Sequence, residues 1–188
     1  AMLIRIWEGG MSFHGGLVGV AIAILIYSRK YQISFLALTD FATPLVPTGL
    51  LFGRLGNFIG QELYGRPTDA PWGMVFPADP EQLTRHPSQL YEAALEGLLL
   101  FLVINWFARK PRLYGHVTGL FLILYGIFRF AVEFVRQPDA QFLGQSSLVE
   151  SFSWMTRGQT LCIPMILLGF WFMRKSLQQL FDNSVSSS

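Results

Sequence analysis

The stretch VTGLFLILYGIFRFAVEFVR, residues 117–136, decides how the chain is read. It is apolar over the ~20 residues a helix needs to cross a bilayer, yet it carries Arg129, Glu133 and Arg136 within it or at its end. Tyr125, Arg129, Glu133 and Arg136 follow at spacings of four, four and three, which places them along one face of a helix. A charge at membrane depth costs ~2.5–3.5 kcal/mol on insertion scales, so such a face is a functional candidate by default. Two readings stay open at this point. One is a structural ion pair between helices; the other is a guanidinium fork offered to a lipid phosphate, with Glu133 fixing the Arg129 rotamer.

Outward from that stretch the chain repeats the pattern. Four further apolar segments run over about 13–27, 35–52, 90–107 and 160–173, the second interrupted by Asp40, Pro44 and Pro47. The composition agrees: 188 residues, 52% hydrophobic and 15% aromatic, against 14% charged, where average chains carry roughly 25% charge. With a mean hydropathy of +0.40, these proportions exclude a disordered chain. A net charge of +2 without a nucleic-acid motif gives no ground for a DNA or RNA partner. The expectation is an all-α integral membrane protein: one membrane domain over 1–188, with about five transmembrane helices. Residues 53–88, rich in Gly, Pro and Asp, read as a small extracytoplasmic head or re-entrant segment, and 182–188 as a disordered tail. A polar connection, 137–158, separates the last two apolar segments.

Basic residues orient the chain. All three lysines sit with arginine neighbours after the first, third and fifth segments (Arg29-Lys30, Arg109-Lys110 with Arg112, Arg174-Lys175), which makes those ends cytoplasmic. The other seven basic residues, Arg5, Arg54, Arg66, Arg85, Arg129, Arg136 and Arg157, are all arginines on or near the outer half. That surplus opposes topology pressure and calls for a function.

Other residues add candidate chemistry. Gly53-Arg54-Leu55-Gly56-Asn57-Phe58-Ile59-Gly60-Gln61-Glu62-Leu63-Tyr64-Gly65 combines tight backbone with Arg54, Asn57 and Glu62, a set suited to an anionic oxygen. Arg85-His86-Pro87-Ser88 opens the third segment, with Pro87 in a first-turn position and His86 on the cap side. Glu92 and Glu96, one turn apart, serve either as hydrogen-bonding groups between helices or as counter-ions for the outer arginines. His14 heads an apolar helix beside Gly15 and Gly19, as a cap or as a general base. The single cysteine, Cys162, reads as a small core residue. The three histidines and this cysteine form no metal-binding pattern, and no Walker loop, nucleophile elbow or zinc-protease motif occurs. Any nucleophile therefore comes from a substrate.

At Gly9 to Gly16, Gly53 to Gly65, Arg85 to Glu92 and Tyr125 to Asp139 the chain resembles the bacterial phosphatidylglycerol–prolipoprotein diacylglyceryl transferase family. The resemblance implies an inner-membrane, multi-pass enzyme of seven spans with its active site toward the periplasm. Such an enzyme moves a diacylglyceryl group from phosphatidylglycerol to the lipobox cysteine thiol of a prolipoprotein signal peptide, releasing glycerol phosphate. It implies catalytic roles for Arg54 and Arg129 on the departing phosphate, supported by Glu62 and Glu133, and for His14 a role either as base or in orienting lipid. Asn57, Glu62, Gly65, His86, Tyr125, Glu133 and Arg136, with Arg54, are the expected substrate-binding residues; no metal or cofactor is expected. Gly60 stands where the family usually has Asn, a lost side-chain hydrogen bond. The chain is expected to start just before the third span of the family. The competing expectations are a lipid-binding or lipid-moving membrane protein without chemistry, and an inactive fragment of the transferase.

Overall fold

The computed structural model describes residues 13–137 and 156–186, with the side chains of 13–15, 17, 157 and 176–186 outside the description. The helices are α1 (Phe13–Tyr31), α2 (Phe35–Ala42), α3 (Val46–Ile59), α4 (Ser88–Glu92), α5 (Leu100–Ala108), α6 (His116–Val132) and α7 (Arg157–Ser186). A two-stranded antiparallel ribbon, β1 (Met74–Val75) and β2 (Thr84–Arg85), lies between α3 and α4, with Met74 opposite Arg85 and Val75 opposite Thr84.

Prolines bend the second segment without ending it. A 3₁₀ turn, Thr43–Leu45, joins α2 to α3, and Pro44 and Pro47 fall in first turns, where a missing N–H costs little. The Thr39, Thr43 and Thr48 hydroxyls donate to the carbonyls of Leu36, Thr39 and Leu45 at 3.0, 2.7 and 2.6 Å, serving backbone acceptors along the bend. A wide π turn, Ala93–Leu99, likewise joins α4 to α5. The resulting helices Phe35–Ile59 and Ser88–Ala108 are 25 and 21 residues long, long and apolar enough to cross a membrane. Of the five spans expected, these two meet that test among the described residues; α6 has 17 residues.

Three boundaries differ from the sequence reading. The head was expected from Gly53, but α3 continues to Ile59 with Gly53, Gly56 and Asn57 all inside the helix. At the other end of the chain, α7 runs to Ser186, so the tail expected to be disordered from Asp182 is helical over 182–186; no Gly or Pro follows Gly169 to break it. The fourth segment was expected to reach Val135, but α6 ends at Val132 and the chain turns at Glu133. The connection 137–158 falls almost wholly outside the described residues.

Large apolar side chains face outward. Phe41, Phe52, Leu102, Trp106, Leu167 and Trp171 are all more than half exposed, as lipid-facing residues are. Inside, Leu100, Ile104 and Val117 are buried beneath Leu120, Phe121, Leu124 and Phe128, joining α5 to α6. Small residues bring α6 and α7 together: a Cβ on Gly119 would meet the Gly169 carbonyl at 2.8 Å, and one on Gly126 would meet Ile166 at 2.5 Å. Cys162 lies in this seam, buried, its thiol donating to the Gly158 carbonyl at 3.1 Å.

Asp40, which interrupts an apolar run, caps another helix. Its carboxylate accepts from the Gly115 and Thr118 backbone N–H groups at 2.7 and 2.8 Å and from the Thr118 hydroxyl at 2.5 Å. It thereby satisfies orphan donors at the start of α6 and ties α2 to it.

Candidate functional site: an arginine–glutamate cluster

The site is assembled where α3, α4 with its π turn, and the end of α6 meet. Gly97 makes this approach possible, since a Cβ there would lie 2.7 Å from Leu51 Cβ. Backbone contact at Leu51 brings Arg54, one turn on, to the carboxylates of the facing helix. Arg54 Nε lies 2.5 Å from Glu92 Oε2, and its Nη2 lies 3.9 Å from Glu96 Oε2. Arg129 Nη1 reaches Glu92 Oε1 at 3.1 Å and Glu96 Oε1 at 3.7 Å, while Nη2 reaches Glu133 Oε2 at 3.4 Å. Arg136 closes the group, 3.7 Å from Glu92 and 3.9 Å from Glu133.

Exposure is divided by charge. The Glu92 and Glu96 side chains are 2% and 0% exposed, whereas Arg54 keeps 18% and Arg129 and Arg136 keep 13% each. The carboxylates are the buried layer, and the arginine side chains above them keep partial exposure, with Arg136 Nε itself buried. Buried charges survive only when paired, and here each carboxylate holds at least two arginines in place. Glu133 is further fixed by the Thr156 hydroxyl at 2.9 Å and covered by Gly158, where a Cβ would meet its carboxylate at 2.6 Å. Among the described residues neither Glu96 oxygen has a hydrogen-bond partner, so its carboxylate is held by the two ion pairs alone. Such an array presents preorganised positive charge to an anionic oxygen arriving on the arginine side.

Of the residues singled out from the sequence, Arg54, Arg129, Glu133 and Arg136 come together here. The support for Arg54 is corrected: its carboxylates are Glu92 and Glu96, not Glu62. Glu62 lies past the end of α3, exposed, and contributes its backbone carbonyl to Gln89 Nε2 at 2.7 Å. Asn57 is half-buried, its carbonyl accepting the Glu62 N–H at 2.9 Å. Tyr125 sits one turn before Arg129, its ring stacked on Phe121 at 5.7 Å. Gly60 caps α3, its N–H donating to the Gly56 carbonyl at 2.8 Å. The His14 side chain and residues 9–12 lie outside the described residues.

Gly65 and His86 belong to the adjoining head. Gly65 N–H donates to the His86 carbonyl and Arg66 N–H to the Val135 carbonyl, both at 2.9 Å, so this crossing anchors the chain leaving α6 and places Arg136. His86 Nδ1 lies 3.2 Å from the Tyr91 hydroxyl. Above it, Arg85 is buried against Asp79, with its Nε 2.6 Å from Oδ2, and it also pairs with Glu81 and bonds Gln137 at 3.1 Å. The Arg85 hydrogen bonds hold the Asp79 carboxyl down at about 2, against an opposing push from burial. The Tyr64 hydroxyl is pushed above its ordinary value, by burial first and then by Asp79.

The sequence left Glu92 and Glu96 either as hydrogen-bonding groups between helices or as counter-ions; they are counter-ions, at the centre of the cluster. The signal was two carboxylates four apart in an otherwise apolar helix; what sequence could not supply was the Gly97–Leu51 contact that delivers Arg54 to them.

Fold and site together define a helical membrane protein with a largely buried arginine–glutamate cluster at one end of its spans. The chain belongs to the prolipoprotein diacylglyceryl transferase family, whose model matches residues 1–175. It is 63% identical over 167 residues to the phosphatidylglycerol–prolipoprotein diacylglyceryl transferase of Teredinibacter turnerae, covering 89% of this chain and 56% of that relative. The enzymes of the same name from Nitratidesulfovibrio vulgaris strain DP4 and Acinetobacter baumannii are 55% and 54% identical, over 92% and 94% of this chain and 63% and 64% of theirs. The chain thus spans 56–64% of the length of these relatives.

Proposed function

We propose that this chain carries the diacylglyceryl-transfer site of a phosphatidylglycerol–prolipoprotein diacylglyceryl transferase. The observation that carries the reading is the convergence of the partly exposed Arg54, Arg129 and Arg136 over buried Glu92, Glu96 and Glu133. In this reading the phosphodiester of phosphatidylglycerol docks on Arg54 and Arg129. The lipobox cysteine sulfur attacks the glycerol carbon of the diacylglyceryl moiety; a C–S bond forms as the C–O bond to phosphate breaks. The leaving oxygen gains negative charge, which the two guanidiniums stabilise because Glu92 has already oriented them. The thiol gives up its proton as the thioether forms, since the thiolate is the nucleophile. His14 is the proposed acceptor of that proton.

The remaining assignments belong to the same proposal. Asn57, Glu62, Gly65, His86 and Tyr125 shape the substrate path around the cluster. The chain crosses the bacterial inner membrane about five times, with the cluster and head on the periplasmic side, in keeping with arginine-only basic residues at that end. Its partners are phosphatidylglycerol and prolipoprotein signal peptides bearing a lipobox.

The test is incubation of purified protein with phosphatidylglycerol vesicles and a lipobox peptide, following peptide mass. A gain of one diacylglyceryl group is expected for the parent and is lost in Arg54→Ala and Arg129→Ala separately. Undiminished transfer in both variants would overturn the site assignment.

A further inference from the structure

We propose that the segment Trp72–Val75 is an interfacial membrane anchor, lying in the headgroup–acyl boundary of the leaflet at the head end of the bundle. The two ends of this segment are pinned to the ends of two spans. Trp72 Nε1 donates to the Tyr91 hydroxyl at 2.8 Å, and Tyr91 is in the first turn of Ser88–Ala108. At the other end, Phe76 is buried between Tyr64, its ring stacked at 5.4 Å, and Phe58, edge-on at 6.1 Å, in the last turn of Phe35–Ile59. The segment therefore runs across the ends of both spans.

Its surface has the chemistry of a bilayer interface. Trp72 is 62% exposed although its one polar atom is already bonded, so an indole ring with no polar demand faces outward. Met74 and Val75 are adjacent in a strand, so their side chains point to opposite faces of the ribbon, and both are exposed. The first strand of the ribbon is thus apolar on both faces, while its partner strand contributes the exposed Thr84 and an Arg85 buried against Asp79. Residues 72–78 hold no charge, while Asp69 and Glu81 on either side are exposed. Ile59 and Leu63, also exposed, continue the apolar surface of the span into the head. Tryptophan with aliphatic neighbours at a span end is the composition that partitions into a bilayer interface, and lipid is the occupant continuous with the spans on both sides.

The experiment uses nitroxide labels at Val75→Cys and, as a control on the same head, Glu81→Cys, in phosphatidylglycerol-containing proteoliposomes. Cys162 is buried and remains unlabelled. Accessibility to oxygen relative to a water-soluble nickel chelate is expected to be severalfold higher at position 75 than at 81. Equal nickel accessibility at the two positions overturns the proposal, as does shielding at position 75 that appears only when lipobox peptide is added. Should the labelled variants not fold, brominated phosphatidylglycerol is expected to quench the emission component that Trp72→Phe removes; quenching of that component by iodide instead overturns it. None of these readouts depends on transfer activity, so the anchor and the enzymatic assignment fail separately.

Discussion

Glu92 and Arg54 meet at 2.5 Å across two helices, and the same carboxylate lies 3.1 Å from Arg129 and 3.7 Å from Arg136. One buried anion thus sets the positions of three guanidiniums contributed by separate parts of the chain. Removing its charge leaves three cations to share two carboxylates, Glu96 and Glu133. Glu92→Gln is expected to lower diacylglyceryl transfer by ~10²-fold or more, the scale of losing one preorganised charge contact. It should also cost ~3–5 kcal/mol of stability, as breaking a buried pair does. Transfer assays and thermal unfolding in detergent check the two effects. A variant with parental activity would show that Glu92 does not organise the arginines.

Gly97 is predicted to control the site from a distance. A methyl at this position would sit 2.7 Å from Leu51 Cβ and 2.8 Å from its Cα, so α3 must move outward. Gly97→Ala is expected to cost ~1–3 kcal/mol by overpacking and to weaken transfer, because Arg54 is one turn beyond Leu51. Adding Leu51→Gly tests the mechanism: it removes the Cβ that the new methyl meets at 2.7 Å and leaves the Cα in place. Since the backbone Cα is itself in the way, only partial recovery is expected. Full parental activity in Gly97→Ala alone would contradict the account.

The sequence makes the helices legible because lipid demands long apolar runs, and makes Arg129, Glu133 and Arg136 legible because charges are costly at that depth; the expected single helical face holds only to Glu133, and Arg136 is placed by its bridge to Gly65 past the end of α6. Its reading failed where partners are distant in the chain. Arg54 and Glu62 look like neighbours at a spacing of eight, but α3 ends between them, and the true partner of Arg54 is 38 positions away at Glu92. Asp40 reads as an interruption of a span until the start of α6 is seen resting on it. The head boundary at Gly53 was misplaced because glycine ends a helix only when the following geometry lets it.

Gly65 is expected to tolerate no side chain. A Cβ there would approach the Val135 carbonyl at 2.6 Å and the His86 carbonyl at 2.7 Å, and neither backbone group is free to yield. Gly65→Ala should break the crossing of the Gly65–Arg66 chain with His86 and Val135, and with it the placement of Arg136 over Glu92 and Glu133. The expected result is a large loss of transfer, with protease cleavage appearing in the head at residues 60–87 under conditions where the parent resists. Loss of transfer with an intact, protease-resistant head would instead place Gly65 in direct contact with substrate.

Acid is predicted to loosen the head before the spans. Asp79 is held at about 2 in the folded chain by the hydrogen bonds from Arg85, against ~3.9 for a free aspartate. The folded value lies below the unfolded one, so the pair stabilises fully above pH ~4, and that contribution is lost as pH falls toward 2. Arg85 stays charged throughout. Glu81, exposed, also pairs with Arg85, so the control is Glu81→Gln, which should keep most of the transition. Asp79→Asn should abolish it, leaving a head equally loose at pH 5 and pH 2. Hydrogen exchange of residues 64–87 at pH 5, 3 and 2, corrected for intrinsic rates, measures this directly. An acid transition of parental size in Asp79→Asn would show that some other carboxyl carries the pH dependence of the head.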